Sequence, residues 1–361
     1  MPNVPGGMRP LKILYAAGLS PNDSAQYRSL ALERLGHEVM LLNSYAFEPK
    51  QALLRKLLHR AQMGPWVERL NREILRLARR ERPDVFWADK LLSLQPATLV
   101  ELRAMGIYTI SYMIDNAFGP RRDPGWRLYL QCIPLFDLHA TQRDKNVLDY
   151  RARGARDVVK VQTAFEPTVH FPPPPGWDDS QRDRGVSFIG TPYDQRADFL
   201  ARLWRECEVP VVISGAGWLW EKALPADAAK SIFTGHELYG ADYREAIWRS
   251  RINLSFLTHS NQDEFVHKSF EIAGCGAFLL AERSDGHSQR FIEGQEAEFF
   301  SDFEECAAKI RRYLPDQAAR ERIAAAGRAR AVQDGYGNDA QVARILARVP
   351  AALPGGPGAA G

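Results

Sequence analysis

Leu11-Lys-Ile-Leu-Tyr-Ala-Ala17, Gly18-Leu-Ser-Pro-Asn-Asp23, a helical stretch over residues 24–35, Gly36, and His37-Glu-Val-Met-Leu-Leu-Asn43 decide the fold of this chain. The first run is a short, nearly continuous apolar segment, as a strand buried on both faces requires. Gly36 ends the helix in the manner of a C-cap, and a second apolar run follows at once. Two such strands joined by one helix make a βαβ unit, which brings a right-handed crossover and a parallel sheet.

Outward from this unit the alternation continues. Residues 84–88 read as a strand, 96–105 as a helix, and 107–114 as a strand halted by Asp115-Asn116. A strand over 137–141, a helix near 144–153 and a strand over 158–162 complete the first set. Phe171-Pro-Pro-Pro-Pro-Gly-Trp-Asp-Asp-Ser180 then interrupts the pattern. Its four prolines supply no ladder donors and favour an extended linker. Alternation resumes with strands over 186–190, 209–214, 231–234, 252–256 and 277–281, and helices over 195–207, 239–250, 268–274, 303–314 and 316–333. The expectation is an α/β chain with parallel sheets. It comprises an N-terminal domain over 1–170, a Pro-rich linker over 171–185, a C-terminal domain over 186–349 and a disordered Pro/Gly/Ala-rich tail over 350–361.

A chain of 361 residues exceeds what one core usually supports, which agrees with two domains. A formal charge of +3 is too small for a general nucleic-acid binder. Cys132, Cys207, Cys275 and Cys306 are far apart and form no zinc-ligand spacing, so they read as core thiols in a reducing compartment. No apolar run reaches the ~20 residues that span a bilayer, and Met1-Pro-Asn-Val-Pro-Gly-Gly has no charged leader; a cytoplasmic location is expected. The stretch Lys50 to Arg82 carries ten Lys/Arg against three Asp/Glu, with Trp66, Leu70, Ile74 and Leu77 on one helical face. It reads as an amphipathic helix pair, parted at Gly64-Pro65, that covers the first sheet with a solvated basic face. Peripheral contact with an anionic membrane is the sharper alternative.

Open α/β sheets bind ligands beyond the carboxyl ends of their strands, which selects the residues that follow each strand. Gly190 and Thr191 follow one, and Arg196 opens the next helix, where free amides face a phosphate and the guanidinium adds a fork. Gly215, in Ser-Gly-Ala-Gly217, marks a similar strand end. The richest constellation is Asn261-Gln-Asp263-Glu264-Phe-Val-His267-Lys268-Ser269-Phe-Glu271-Ile-Ala-Gly274-Cys-Gly276, a polar loop entering a short glycine-ended helix. The helix start, with Lys268, Ser269 and the adjoining His267, faces an anion. Glu271, one turn in, is placed to accept hydrogen bonds from a vicinal diol such as ribose. His139 and His236 read as structural residues.

The run Lys268-Ser-Phe-Glu-Ile-Ala-Gly-Cys-Gly-Ala-Phe-Leu-Leu280 resembles the donor-site signature of CgeB-like family 1 glycosyltransferases, a branch of the GT-B superfamily. Phe291-Ile-Glu-Gly-Gln-Glu-Ala-Glu-Phe-Phe300 and Arg320-Glu-Arg-Ile-Ala-Ala-Ala-Gly-Arg328 are similar to the same family, so the resemblance covers most of 186–345. It extends more loosely to Leu35-Gly-His-Glu-Val39 and Tyr112-Met-Ile-Asp115-Asn116. It implies two facing Rossmann-like domains, a nucleoside-diphosphate sugar held by the second, and an acceptor in the cleft between them. Glu271 would match the ribose-binding carboxylate and Lys268 the basic residue at the pyrophosphate. Retaining relatives pair two acidic residues eight positions apart; here Asp263 and Glu271 stand at that spacing, and Glu264 is one position off.

Asp263 is thereby the candidate contact to the transferred sugar, and Asp115 the candidate catalytic base that takes the acceptor proton. Gly18 and Asn116 border the acceptor side. No Asp-x-Asp pair is placed to hold a metal on a diphosphate, so metal-independent transfer without a cofactor beyond the donor is expected. Two other functions share these residues: a catalytically silent nucleotide-sugar-binding protein of surface assembly, and a sugar-nucleotide epimerase. A dehydrogenase is disfavoured, because the first βα turn lacks G-x-G-x-x-G.

Overall fold

In the computed structural model, which describes residues 9–119, 123–351 and 353, the chain divides into two units. Unit 1 is Met1–Gln162 with Asn338–Gly361, and unit 2 is Thr163–Gly337. Unit 1 holds strands β1 (Lys12–Ala17), β2 (Glu38–Asn43), β3 (Val85–Asp89), β4 (Tyr108–Tyr112), β5 (Leu138–Thr141) and β6 (Val158–Lys160). They form one parallel sheet in the order β2-β1-β3-β4-β5-β6. Alternate residues of β1 explain its unbroken apolar run. Ile13, Tyr15 and Ala17 enter a core with Ala31, Leu32 and Ile345, while Leu14 and Ala16 enter another with Leu70, Ile74 and Leu99.

Unit 2 holds β7 (Arg184–Ile189), β8 (Val211–Ser214), β9 (Ser250–Ser255), β10 (Leu279–Glu282) and β11 (Glu298–Phe300). These too are parallel, in the order β11-β10-β9-β7-β8. In each sheet the strand order reverses once, between β1 and β3 in unit 1 and between β7 and β9 in unit 2. Crossovers leave such a sheet on opposite faces at that point, so a crevice opens at the carboxyl ends of those two strands.

Several boundaries differ from the sequence expectation. Residues 231–234 are not a strand: the helix Ala226–Ile232 buries Ala228 and Ile232 one turn apart, and only Phe233 makes a bridge to Ile213. The proline run does not divide the units. Phe171 packs on Trp248, whose indole nitrogen donates to the Phe171 carbonyl at 2.8 Å, so this segment belongs to unit 2. The final helix Asn338–Leu346, expected in the C-terminal domain, completes unit 1. Val342, Ile345 and Leu346 fill the first sheet's core, and Arg34 Nε donates to Asp339 Oδ1 at 3.0 Å. Of the helix pair over residues 50–82, only Pro65–Glu81 covers the sheet, burying Val67, Leu70, Ile74 and Ala78; Ala52–Ala61 buries no residue. Most of the expected tail over 350–361 lies outside the described residues. The four cysteines are free thiols, three of them buried.

The reversal in unit 1 is tied by a buried ion pair. Arg28 Nε and Nη2 donate to Asp89 Oδ2 and Oδ1 at 2.6 and 2.8 Å, and the Tyr15 hydroxyl donates to Oδ2 at 2.5 Å. The guanidinium also lies 4.1 Å from the centre of the Tyr112 ring. Both charged side chains are almost wholly excluded from water, at 2% and 0% exposure. Removing one partner strands the other charge in a low dielectric. Asp89→Ala is therefore expected to destabilise unit 1 by roughly 3–5 kcal/mol in chemical denaturation, and the Arg28→Met/Asp89→Leu pair by much less.

Candidate functional site

The reversal in unit 2 brings the loop after β7, with Gly190, next to the helix His267–Gly274. A Cβ on Gly190 would stand 3.5 Å from Lys268 Cε and 3.1 Å from the Phe188 ring, so the backbone there borders the lysine closely. Gly215 is required for packing: a Cβ would lie 2.1 Å from the Gly190 carbonyl oxygen, which instead accepts from Trp220 Nε1 at 2.7 Å. That contact holds the loop containing Gly190 against the loop after β8.

Lys268 is half-buried, its ammonium 5.2 Å from the Tyr243 ring centre and 5.9 Å from that of Phe188. Its Nζ donates to the Tyr243 hydroxyl at 3.4 Å, and that hydroxyl donates to Glu271 Oε2 at 2.6 Å. The result is a Lys268–Tyr243–Glu271 relay that fixes cation and carboxylate on one side of the helix. Burial lowers the Lys268 pKa, while Glu271 opposes the shift. For Glu271 burial acts upward, but His170, Lys268, His267 and the Tyr243 hydrogen bond together bring it below its ordinary value. The N-cap residue of this helix, Val266, makes no side-chain cap to it.

Tyr243 and His170 were not legible as site residues in the sequence. Tyr243 lies on the helix Gly240–Trp248, and its ring meets that of His170 edge-on at 5.8 Å. His170 Nδ1 accepts from the Glu166 amide at 2.9 Å; burial lowers its pKa against the pull of Glu271 and Glu166. His267 places Nδ1 3.3 Å from the Ala164 carbonyl. The only sequence signal for His170 was its position just before the proline run.

Two expected ligand contacts are turned inward. The Arg196 guanidinium, 8% exposed, donates to the carbonyls of Thr191 (3.1 Å) and Leu257 (2.7 Å) and to Thr258 Oγ1 (3.1 Å). It clamps the loop after β7 to the loop after β9 rather than presenting a fork to phosphate, and Thr191 serves it as an acceptor. The Ser269 hydroxyl is fully buried, 2.9 Å from Ser255 Oγ and 2.8 Å from His287 Nε2. His287 Nδ1 lies 2.8 Å from the Glu282 carbonyl, which can only accept, so Nε2 accepts from Ser269. Burial brings the His287 pKa down to about 4, which keeps this chain neutral. Asp263 sits in the loop before the helix, with its Oδ1 accepting from Asn261 Nδ2 at 2.9 Å. The neighbouring Glu264 backbone is pinned: its carbonyl accepts from Ser284 Oγ at 2.6 Å, and Gly286 packs against it with no room for a Cβ.

In unit 1 the reversal opens into a cavity of about 690 Å³ lined by Gly18, Asp89, Lys90 and Asp115 among others. Lys90 Nζ and Asp115 Oδ2 are 2.7 Å apart and both half-exposed. Asn116 Oδ1 accepts from Asn146 Nδ2 and from the Phe118 amide, the pattern of a turn residue. Asp89 and Lys90 directly follow the strand read at 84–88, so the rule that selected Gly190 could have found them. His139 is buried against the Tyr150 ring with Nε2 2.9 Å from the Ile133 carbonyl, and exposed His236 contacts the Thr234 carbonyl. Among the described residues no group of three or more His, Cys, Asp and Glu is arranged to hold a metal.

Residues 195–347 match the glycosyl transferase-like family model. No curated protein matches the chain. Among solved structures, sucrose-phosphate synthase from Thermosynechococcus elongatus superposes with a TM-score of 0.66 at 13% identity, over 93% of this chain and 97% of that one. HepE from Anabaena in complex with UDP gives 0.63 at 13% identity, over 93% and 100%. Trehalose 6-phosphate synthase from Burkholderia multivorans gives 0.62 at 13% identity, over 94% and 98%. The chain has the GT-B fold, two parallel-sheet α/β domains.

Because the folded-state pKa of Glu271 is lowered, its carboxylate contributes stability that is present above the ordinary value of 4.5 and lost as pH falls through the folded value. Glu271→Gln is expected to unfold at lower urea than the parent at pH 7. The gap should close as pH drops below 4.5, measured as urea midpoints across a pH series.

Proposed function

We propose that the chain is a glycosyltransferase that uses a nucleoside-diphosphate sugar, with the nucleotide held by unit 2. The observation that carries this reading is the Lys268–Tyr243–Glu271 relay beside Gly190, at the strand reversal of the second sheet. Anionic oxygen is favoured where a half-buried ammonium stands at an uncapped helix start. An ionised carboxylate one turn further suits the two hydroxyls of a ribose. The family model over residues 195–347 supports the reading, as do HepE structures solved with UDP and with UDP-glucose. Charge on the leaving diphosphate is met by Lys268 and helix amides, so transfer proceeds without a metal. Asp115, held by Lys90 in the unit 1 cavity, is the proposed base for the acceptor hydroxyl.

The test is a thermal-shift screen with UDP-, GDP-, dTDP- and ADP-sugars, followed by assay of nucleoside diphosphate release. A donor at a hundredfold its Kd is expected to add roughly 2.7 kcal/mol of stability. Lys268→Ala and Glu271→Ala should each weaken it by roughly ten- to a hundredfold, the worth of one charge-assisted hydrogen bond. Asp115→Asn should lower turnover and leave donor binding intact, and chelation should change neither. Unchanged binding in Glu271→Ala would reject the site. Binding without turnover on any acceptor would favour a silent binding protein, and conversion of the sugar nucleotide without acceptor an epimerase.

A second observation favours contact between unit 1 and an anionic membrane surface. The helix Ala52–Ala61 leaves Leu53 77% and Leu57 60% exposed, with Met63 59% exposed just beyond it. Lys50, Lys56 and Arg60 are exposed and, among the described residues, make no ion pair. The helix is held from its other side, where His59 Nε2 lies 2.6 Å from Asp123 Oδ1. A leucine edge rimmed by unpaired cations matches an acyl–headgroup boundary. Sedimentation is expected with phosphatidylcholine vesicles containing phosphatidylglycerol but not with phosphatidylcholine alone. Leu53→Gln/Leu57→Gln and Lys50→Glu/Arg60→Glu should each reduce it at least about tenfold, at roughly 1 kcal/mol per cation. Equal sedimentation with both vesicles, or with neither, would remove the membrane from this picture.

A further inference from the structure

Unit 2 contains a cavity of about 310 Å³ that no part of the donor reading uses. Four arginines line it, Arg182, Arg251, Arg320 and Arg328, together with the carboxylates of Asp179 and Glu321. Arg182 lies just before β7, Arg251 is the second residue of β9, and Gly276 on its wall precedes β10. The cavity is therefore at the amino edge of the parallel strands, whereas Gly190 follows the carboxyl end of β7. Six-residue β7 separates the two edges by roughly 20 Å.

The charges in this cavity do not balance. Arg320 is satisfied: it donates to Asp179 Oδ1 at 2.6 Å and to the carbonyls of Tyr313 and Leu314 at 2.6 and 2.5 Å, tying down the end of the preceding helix. Asp179 is thereby engaged, and its remaining contacts are looser, 3.4 Å to Arg251 Nε and 4.0 Å to Arg182 Nη1. Glu321 approaches Arg182 Nη1 only to 3.8 Å. Arg328 has no ion pair among the described residues and stands 5.1 Å from the Phe165 ring centre. Arg182 Nη1, Arg251 Nε and Arg328 Nη1 are buried and, among the described residues, donate no hydrogen bond. Burial lowers the pKa of Arg182 and of Arg328, the sign of cations that neighbouring carboxylates do not compensate.

We propose that this arginine cavity is an anion site that takes the phosphate group of a small phosphomonoester or free phosphate. Three guanidinium N–H groups without acceptors, in a pocket with two more positive than negative side chains, match an oxyanion that accepts several charge-assisted bonds at once. The volume admits a phosphate with a small organic group attached. The cavity also lies near the far end of the helix that begins at His267, since Gly276 on its wall is two residues beyond the last residue of that helix, Gly274. The site stands on its own charges and does not depend on what Lys268 binds.

The experiment uses the full chain in a Lys268→Ala/Glu271→Ala background, which removes the other candidate phosphate contact. Thermal unfolding is followed with inorganic phosphate and with glycerol 3-phosphate, against sodium chloride at equal ionic strength. A saturable stabilisation beyond the chloride effect is expected. It should weaken at least tenfold in Arg182→Gln/Arg328→Gln, whose unliganded melting temperature stays equal or rises because two desolvated cations are gone. Should that pair fail to fold, Arg251→Gln at its half-exposed position reports on the same pocket and should also weaken the effect. Preference for glycerol 3-phosphate over inorganic phosphate, or the reverse, identifies the source of the group. No saturable shift with either anion, or a shift unchanged in the arginine variants, overturns the proposal.

Discussion

Both halves of this chain depend on one constraint: a parallel strand must return by a crossover, and crossovers cover both faces of its sheet. Once Ile13, Tyr15 and Ala17 face one core and Leu14 and Ala16 another, no face of β1 is left for a ligand. Only strand ends are open, and the point where strand order reverses is where neighbouring crossovers part. In unit 1 that position carries the Arg28–Asp89 pair and the cavity with Asp115; in unit 2 it carries Gly190 and the helix of Lys268 and Glu271.

Within unit 2 the arrangement of charge separates structural from available groups. Arg196 is spent on backbone carbonyls, and Ser269 is closed into a neutral chain with Ser255 and His287. Lys268 and Glu271 attract each other and are linked through the Tyr243 hydroxyl, which orients both and leaves them capacity for other partners. The arginine cavity at the opposite edge shows the same distinction more strongly. Arg320 is engaged there by three acceptors, while Arg182 and Arg328 keep buried donors that nothing accepts among the described residues.

Local periodicity was legible in the sequence wherever one element determined its own burial. The strands of the first sheet, β7 to β10 of the second, the helix after Gly190 and the helix carrying Lys268 could be read because their apolar spacing depends on neighbours a few residues away, whereas the three-residue β11 (Glu298–Phe300) was missed. The short helix Ala226–Ile232 was misread because an isolated Ile-Phe pair has no period, and only packing of Ala228 and Ile232 together shows a helical face. The site was legible in part for the same reason. Lys268 and Glu271 share one helix turn, but Tyr243 is 25 residues from Lys268 in sequence and reaches it only through the fold.

Sequence alone determined the alternation of strand and helix, and with it an α/β chain of parallel strands. It also determined the polar entry and glycine exit of the helix from His267 to Gly274. Tertiary structure decided which polar groups remain free for chemistry and where the chain's last helix belongs. Arg196 looks identical in sequence whether it meets phosphate or the Leu257 carbonyl, and Asn338–Leu346 looks identical whichever core it closes. Such choices rest on contacts tens to hundreds of residues apart, which a local pattern of apolar and polar residues does not encode.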